Sequence, residues 1–341
     1  MALRVAPFTG SGEQWDSAVR TFDGWTHFHL YGWRSIMERV LGHECLYLAA
    51  TTESGTISGV MPLVRVKSPL FGHFLVSMPF LNYGGPLGSP DGVRALATHA
   101  TQLAERDQVK MLELRSRTEL PIDLPVSHRK ITVVLDIPDS DHDALWKRLD
   151  SKVRSQVRRP QKEGVVVRFG RDQVDPFFDV FSRHMRDLGT PTQSRRLFRV
   201  IADTFGDDVT FACAYQGDVA IAAGCGFRWG DEFEMTWASS LREYNKISPN
   251  MLVYWECMKR SAEQGVTLFN FGRCTPGAGT HKFKRQWGSR DETLWWYEQR
   301  SAGATTPSEG QGALSLGPKV WQKLPLGLAT ALGPRIVRFI P

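Results

Sequence analysis

Cysteine is scarce in this chain of 341 residues. Its five cysteines, Cys45, Cys213, Cys225, Cys257 and Cys274, are odd in number, show no C-x-x-C spacing and mostly sit inside apolar runs. That pattern excludes a disulfide framework or a zinc site as the organising device and points to buried thiols in a reducing compartment. Also lacking is any run of the roughly 18 uninterrupted apolar residues that a membrane span requires. The first ten residues carry one arginine, with neither an apolar core nor a small-residue cleavage site, so no secretory signal is read and a cytoplasmic location is expected. Neither G-x-x-x-x-G-K-[ST] nor G-x-G-x-x-G occurs, which removes the Walker and dinucleotide-fingerprint readings. His27 and His29 alternate as metal ligands can, but no third ligand stands at a recognisable spacing, and no metal is expected.

What is present is a folded-protein composition, 42% hydrophobic and 23% charged, in a chain long enough for two domains of ordinary size. A net charge of +6 favours an anionic partner without choosing among nucleic acid, a phosphorylated cofactor and an anionic membrane face. The order of elements points to a duplication. Residues 45–50 and 57–64 are β-rich runs across the turn at Ser54 and Gly55. Residues 209–215 and 219–227 repeat the device across Gln216, Gly217 and Asp218, with Gly224 in the place of Gly59. Each hairpin leads to a further extended segment (74–83, 232–238), a helix (91–106, 249–264) and one more strand (110–115, 266–273), so that Arg115 and Arg273 close equivalent strands. Two helices, near 14–22 and 30–40, open the first half. The layout predicts an α+β fold of two like-built domains, each a mixed sheet flanked by helices. Prolines in 120–125 mark a linker and 131–137 starts the second half as a strand, which gives domains over 1–127 and 128–300, followed by a linker and an apolar, basic tail over 301–341.

Charge is densest over residues 147–171, where nine lysines and arginines outnumber Asp150 and Glu163. Leu145, Leu149, Val153 and Val157 share one helical face, which lines Arg154, Arg158 and Lys162 along another until Pro160 disturbs the ladder. Two readings stand: a solvated surface helix, or a ridge that neutralises phosphates of an RNA, of coenzyme A or of a nucleotide-linked acceptor. Further on, Ser248 stands where an N-cap belongs and Pro249 at the first helical position, so the N–H groups of that helix start could hold a phosphate beside Lys246, Arg273, Lys282, Lys284 and Arg285. Gly272, Gly277 and Gly279 allow the following loop to approach a ligand closely. Cys274 would need a base such as His281 to act as a nucleophile, and a structural thiol is the better reading.

These residues resemble a family. Ser248, Pro249 and Asn250 opening a helix, N-F-G-R over 270–273, F-K-R-Q-W-G over 283–288 and the basic helix from Lys152 are similar to the second-domain pattern of FemAB-like acyltransferases, and residues 79–87 match a first-domain feature. The resemblance spans roughly residues 14–300. The tail motifs near Trp321 and Leu332 further resemble the subgroup associated with PEP-CTERM/exosortase and exopolysaccharide systems. It implies tandem acetyltransferase-like (GNAT) domains and transfer of an acyl or aminoacyl group to an amine, from acyl-CoA or aminoacyl-tRNA, plausible acceptors being an amino sugar or an envelope precursor. By the same resemblance Lys284, Tyr244 and Tyr254 are the catalytic candidates, and Ser248, Asn250, Arg273, Lys282 and Phe283 hold the donor. Arg154, Arg158 and Tyr83 are the expected substrate contacts. The inserted coiled-coil arm of some tRNA-using relatives is missing between 147 and 171.

Two other functions compete. One is a non-catalytic module derived from the same fold that binds RNA or polysaccharide through the basic helix. The other is a plain acetyl-CoA enzyme binding its cofactor at residues 248–250, although the Q/R-x-x-G-x-G/A loop is absent there. DNA is not an expected partner. Apolar residues from Trp321 to Phe339 mixed with Lys319, Lys323, Arg335 and Arg338 fit either a tail packed on the domain or peripheral attachment to the inner face of the cytoplasmic membrane.

Overall fold

The computed structural model describes residues 3–68, 72–301 and 317–340. The chain divides into two compact units, one formed by residues 1–131, 293–307 and 338–341 and the other by residues 132–292 and 308–337. In the first, β1 (Arg4–Pro7), α1 (Gly12–Arg20) and α2 (Gly32–Arg39) precede the hairpin of β2 (Glu44–Thr51) and β3 (Ile57–Ser68). Then come β4 (Gly72–Ser77), the short β5 (Leu87–Gly88), α3 (Pro90–Arg106), β6 (Met111–Ser116) and β7 (Val126–Ser127). The first helix starts on a capping box: Ser11 Oγ accepts the Gln14 N–H while Gln14 Oε1 accepts that of Ser11. Leu96, Ala97, Ala100, Leu103 and Ala104 recur at helical spacing on α3 and bury against Leu48, Met61, Leu63, Leu75 and Leu112 of the sheet.

The second unit begins with β8 (Ile131–Asp136), α4 (His142–Arg148), α5 (Ser151–Lys162), β9 (Val166–Phe169), α6 (Val174–Leu188) and α7 (Arg195–Phe205). The second hairpin follows as β10 (Val209–Gln216) and β11 (Val219–Trp229), then β12 (Glu232–Ser240), α8 (Pro249–Glu263), β13 (Leu268–Cys274), α9 (Gly279–Arg285) and β14 (Arg290–Thr293). After Leu294 the chain forms β15 (Trp295–Arg300), and beyond the undescribed residues it forms α10 (Gly317–Trp321) and α11 (Leu326–Val337).

The sheets are built alike. One runs β1-β2-β3-β4-β6-β15-β7 with β5 beside β3; the other runs β9-β10-β11-β12-β13-β8-β14. Position by position, the hairpins, the parallel pairs β4–β6 and β12–β13 and the covering helix correspond. Gly59 pairs with Ala50 next to the turn of the first hairpin, whereas Gly224 pairs with Ala212 farther from the turn of the second. A Cβ on Gly59 would meet Leu96 of α3 at 3.1 Å, and one on Gly224 would meet Val253 of α8 at 3.1 Å, so each glycine lets its covering helix come close to the sheet. The α+β fold of two mixed sheets flanked by helices is the one the element order implies.

The last strands do not follow sequence order. The sixth position of the first sheet is taken by β15, antiparallel to β6 with Tyr297 opposite Leu114, and the sixth position of the second sheet is taken by β8. Residues 293–300, grouped by order with the second domain, thus complete the first sheet, while β8, which opens the second domain, fills the corresponding place in its own sheet. The extended stretch expected over 74–83 also stops early. Met78 and Phe80 adopt φ of +54° and +71° on either side of Pro79, which turns the chain out of β4.

Candidate active site

In the second unit β12 and β13 pair in parallel at only three positions, Glu232 with Leu268, Phe233 with Phe269 and Glu234 with Asn270. Beyond them β12 continues to Ser240 and β13 to Cys274 without pairing, which leaves the two strands open between their carboxyl ends. Ligands of open α/β sheets bind outside the carboxyl ends of strands, and α8 starts from this side.

The wall on the β13 side is set by Asn270 and Gly272. Gly272 has φ of +71°, a conformation glycine adopts without a Cβ penalty, and it interrupts the alternation of carbonyl directions along the strand. Two consecutive carbonyls, those of Gly272 and Arg273, therefore converge on one cation, the ammonium of Lys284, at 2.6 and 2.9 Å. Buried Asn270 fixes the distortion: its Oδ1 accepts the Gly272 N–H at 2.8 Å and the Thr132 hydroxyl at 2.7 Å, while its Nδ2 donates to Glu232 at 2.7 Å. Ser289 Oγ ties the Lys284 carbonyl at 2.9 Å. The N-F-G-R run is thus a device for aiming carbonyls at a lysine.

Lys284 is 7% exposed. Burial, which penalises the charged form, lowers its pKa from 10.5 to about 8; nearby Cys274 and Glu234 oppose the shift and Arg273 adds to it. Glu234 is a fully buried carboxylate on β12, bonded by the Thr236 hydroxyl at 3.1 Å, and places negative charge on the opposite wall. Beneath them lies an aromatic layer in which Tyr254 stacks on Phe271 at 5.5 Å and meets Phe283 edge-on at 5.1 Å, with Trp287 at 6.3 Å. Burial pushes the Tyr254 hydroxyl up, so it stays protonated. Tyr254 serves the layer that supports Lys284, and Phe283 is its half-exposed rim.

The start of α8 departs from the expected cap. Ser248 ends a 3₁₀ turn over Arg242–Ile247 in left-handed geometry, φ +56°, and its side chain makes no capping bond, because a cap hydroxyl reaches the second or third N–H only from an extended backbone. Its own N–H donates to Asn245 and that of Met251 donates back to Ser248, while Pro249 has none. Among the first three helical residues only Asn250 keeps an N–H outside these bonds, too little for a pyrophosphate cradle. Tyr244 lies half-buried on the same 3₁₀ turn, whereas Lys246 and Lys282 are exposed.

The basic helix is two helices. Leu145, Leu149, Val153 and Val157 are all buried as their spacing implies, but the chain breaks after Leu149, and Asp150 caps α5 by accepting the Lys152 N–H at 2.7 Å. Arg154 does not face outward as expected. Its Nη1 donates to the carbonyls of Lys147 and Leu149 at 3.1 and 2.8 Å and closes the end of α4. Arg158 lies over Trp146, 5.3 Å from its ring. The member of this helix that reaches the site loop is Arg159, whose Nη1 donates to the Lys246 carbonyl at 3.1 Å.

The corresponding opening in the first unit is filled. Beyond the β4–β6 pairs, Ser77 Oγ accepts the Arg115 N–H at 2.8 Å, and the N–H groups of Gly84 and Gly85 donate to the Arg115 carbonyl at 3.2 and 2.7 Å. Arg115, the counterpart of Arg273, is buried and bonds Glu113 at 2.6 Å and the Leu81 carbonyl at 3.0 Å, with Trp296 stacked 4.6 Å away. Tyr83, an expected substrate contact, is 1% exposed, packed on Phe28 at 5.6 Å and under Arg117 at 5.4 Å. Its ring is part of the core.

All five cysteines are buried and none forms a disulfide. His281 cannot serve Cys274 as a base in this arrangement, because its Nδ1 accepts the Gly277 N–H at 2.9 Å and its Nε2 meets Asp291 at 3.0 Å. Among the described residues no group of three metal-binding side chains comes together.

Two mixed sheets flanked by helices, the second opened between its parallel strands, give the chain a tandem GNAT-like fold. Residues 147–285 match the family described as acetyltransferase (GNAT) domain. Among solved structures the chain is similar to FemX, with 15% identity over 86% of this chain and 97% of that one and a TM-score of 0.66. It is similar to L-PGS from Bacillus licheniformis (11% identity, 97% and 98%, TM-score 0.56) and to a tandem GNAT protein from the clavulanic acid biosynthesis pathway (12%, 87% and 98%, 0.50). At these identities the likeness is one of fold. No curated protein matches.

Lys284 and Arg273 lie side by side at the end of β13, and Phe283 is on the same short helix as Lys284. Glu234, Asn270 and Thr132 were missed as site residues. Asn270 was legible in principle, since an Asn two residues before a glycine that ends a strand can bond that glycine's N–H; Glu234 and Thr132 carry no local signal.

Proposed function

We propose that the chain is a FemAB-like N-acyltransferase that moves an acyl or aminoacyl group from acyl-CoA or aminoacyl-tRNA to the amine of a small molecule or glycan precursor, an amino sugar or another envelope or exopolysaccharide intermediate. The observation that carries this reading is the buried Lys284 ammonium, held by two carbonyls at the open β12–β13 mouth. Two of its three hydrogens go to those carbonyls, and the third addresses the carbonyl oxygen of the donor. The amine attacks that carbon, a C–N bond forms, and negative charge develops on an oxygen that the fixed ammonium stabilises. As the intermediate collapses, the bond to the thiol or ribose hydroxyl breaks and the amine's proton leaves with it. Cys274 and Glu234 oppose the effect of burial on the ammonium, and in this reading Tyr244 relays a proton. Arg273, Lys282 and Phe283 line the donor side, Asn250 offers one N–H, and Arg159 with Lys246 meets donor phosphates. With a single open N–H at α8, a donor need not be gripped by its pyrophosphate there.

Purified protein is incubated with labelled acyl-CoAs and, separately, with charged tRNA and amine acceptors. Transfer from either class, lost in Lys284→Met, supports the reading; no transfer from both classes overturns it. A second reading, a non-catalytic RNA- or polysaccharide-binding module, draws on exposed Arg158 and Lys162 along α5. Steeply salt-dependent RNA binding without turnover selects it.

A further inference from the structure

We propose that the outer face of α10 and α11 docks the protein on a bilayer that carries anionic headgroups. The inner face of this helix pair is already committed to the second unit. Ala329 and Gly333, four residues apart, are buried. A Cβ on Gly333 would meet the carbonyl oxygen of Thr192 at 2.8 Å, one on Gly189 would meet that of Pro318 at 2.6 Å, and Arg186 donates to the Leu324 carbonyl at 3.3 Å. The tail is therefore clamped in place, which realises the packed alternative without exhausting the helix's apolar surface.

The opposite stripe of α11 is also apolar. Leu328 is 52% exposed and Leu332 41%, one turn apart with exposed Ala331 between them, and Val320 on α10 is 61% exposed. A helix that packs on a domain from one side ordinarily presents polar residues on the other. The only charges here are cations: Lys319, Lys323 and Arg335 are exposed, and residues 310–341 contain no aspartate or glutamate. With Arg338, this stretch supplies four of the chain's six net positive charges.

These features choose the occupant. A second copy of this chain seated on the same face by a twofold axis would set this all-cationic surface against itself. An anionic bilayer offers hydrocarbon to the leucines and negative charge to the surrounding lysines at once. Among the described residues no helix is long and apolar enough to cross a membrane. The 12 residues of α11 extend about 18 Å, short of the roughly 30 Å hydrocarbon core, so the helix lies in the interface.

The test is co-sedimentation of the full chain with vesicles of phosphatidylcholine alone and of phosphatidylcholine with an equal part of phosphatidylglycerol, at low and at 0.5 M salt. Binding to the anionic vesicles only, reversed by salt, is expected, with a loss of about 25-fold in Lys319→Gln/Lys323→Gln at about fivefold per cation. Leu328→Glu/Leu332→Glu should abolish binding while leaving the thermal midpoint unchanged, since both side chains are exposed. No binding, equal binding to both vesicles, binding that survives the leucine substitutions, or a concentration-dependent dimer that those substitutions break each overturns the proposal. None of these readouts involves acyl transfer, so the outcome is separate from that of the proposed activity.

Discussion

Lys284 sits where its charge state decides two measurable quantities. Between about pH 8 and 10.5 the unfolded chain binds a proton that the folded chain has shed, so stability rises with pH across that window, and Lys284→Met should remove the rise in a series of thermal melts. If the ammonium is what stabilises the oxyanion, kcat falls as pH passes about 8, and Lys284→Met lowers kcat/KM by about 10²–10³-fold; a rate that instead rises through pH 8 would make the neutral amine the working form. Asn270→Ala removes the partner of the Gly272 N–H and of the Thr132 hydroxyl, and each orphaned buried group costs about 1–3 kcal/mol. A drop in thermal midpoint together with lost activity is expected. The sequence pointed to Lys284 through its motif, but not to the reason the motif reads N-x-G-R, because a left-handed glycine and a side-chain-to-backbone bond across two residues leave only a glycine and an asparagine in the text. Ser248 shows the converse: the right residue type stands in the cap position, yet the preceding 3₁₀ turn fixes a backbone from which it cannot cap.

At the scale of elements, spacing was informative wherever the partner is near in sequence. The two hairpins, the helices α3 and α8 and the apolar stripe of α4 and α5 follow from period and turn residues. Which arginine of that helix reaches the loop before α8 did not follow, since the break after Leu149 rotates Arg154 back onto α4. Exchange of that arginine for alanine should therefore cost about 1 kcal/mol of stability and leave the donor's KM unchanged, whereas Arg159→Ala should raise that KM with little effect on folding. Steady-state kinetics beside thermal melts separates the two. The sheet positions of β8 and β15 were hidden for a plain reason. A buried apolar strand reads the same whichever sheet accepts it, and only Leu294 separates β14 from β15.

For the whole molecule, the place of β15 in the first sheet means that no single cut releases two finished units. Residues 1–131 expressed alone lack the strand that covers β6, whose six residues are all buried, and should aggregate or remain unfolded by circular dichroism and gel filtration; co-expression with residues 132–341 should restore a soluble pair. A soluble, cooperatively folded 1–131 fragment would count against this dependence on β15. The late arrival of β15 also orders events in time. The half that leaves the ribosome first is completed last, because roughly 180 residues separate β6 from the strand that seals it, about 10 to 40 s of translation. Throughout that interval an apolar sheet edge waits for its partner, which makes nascent-chain chaperones and elongation speed, rather than the finished protein's stability, the determinants of yield.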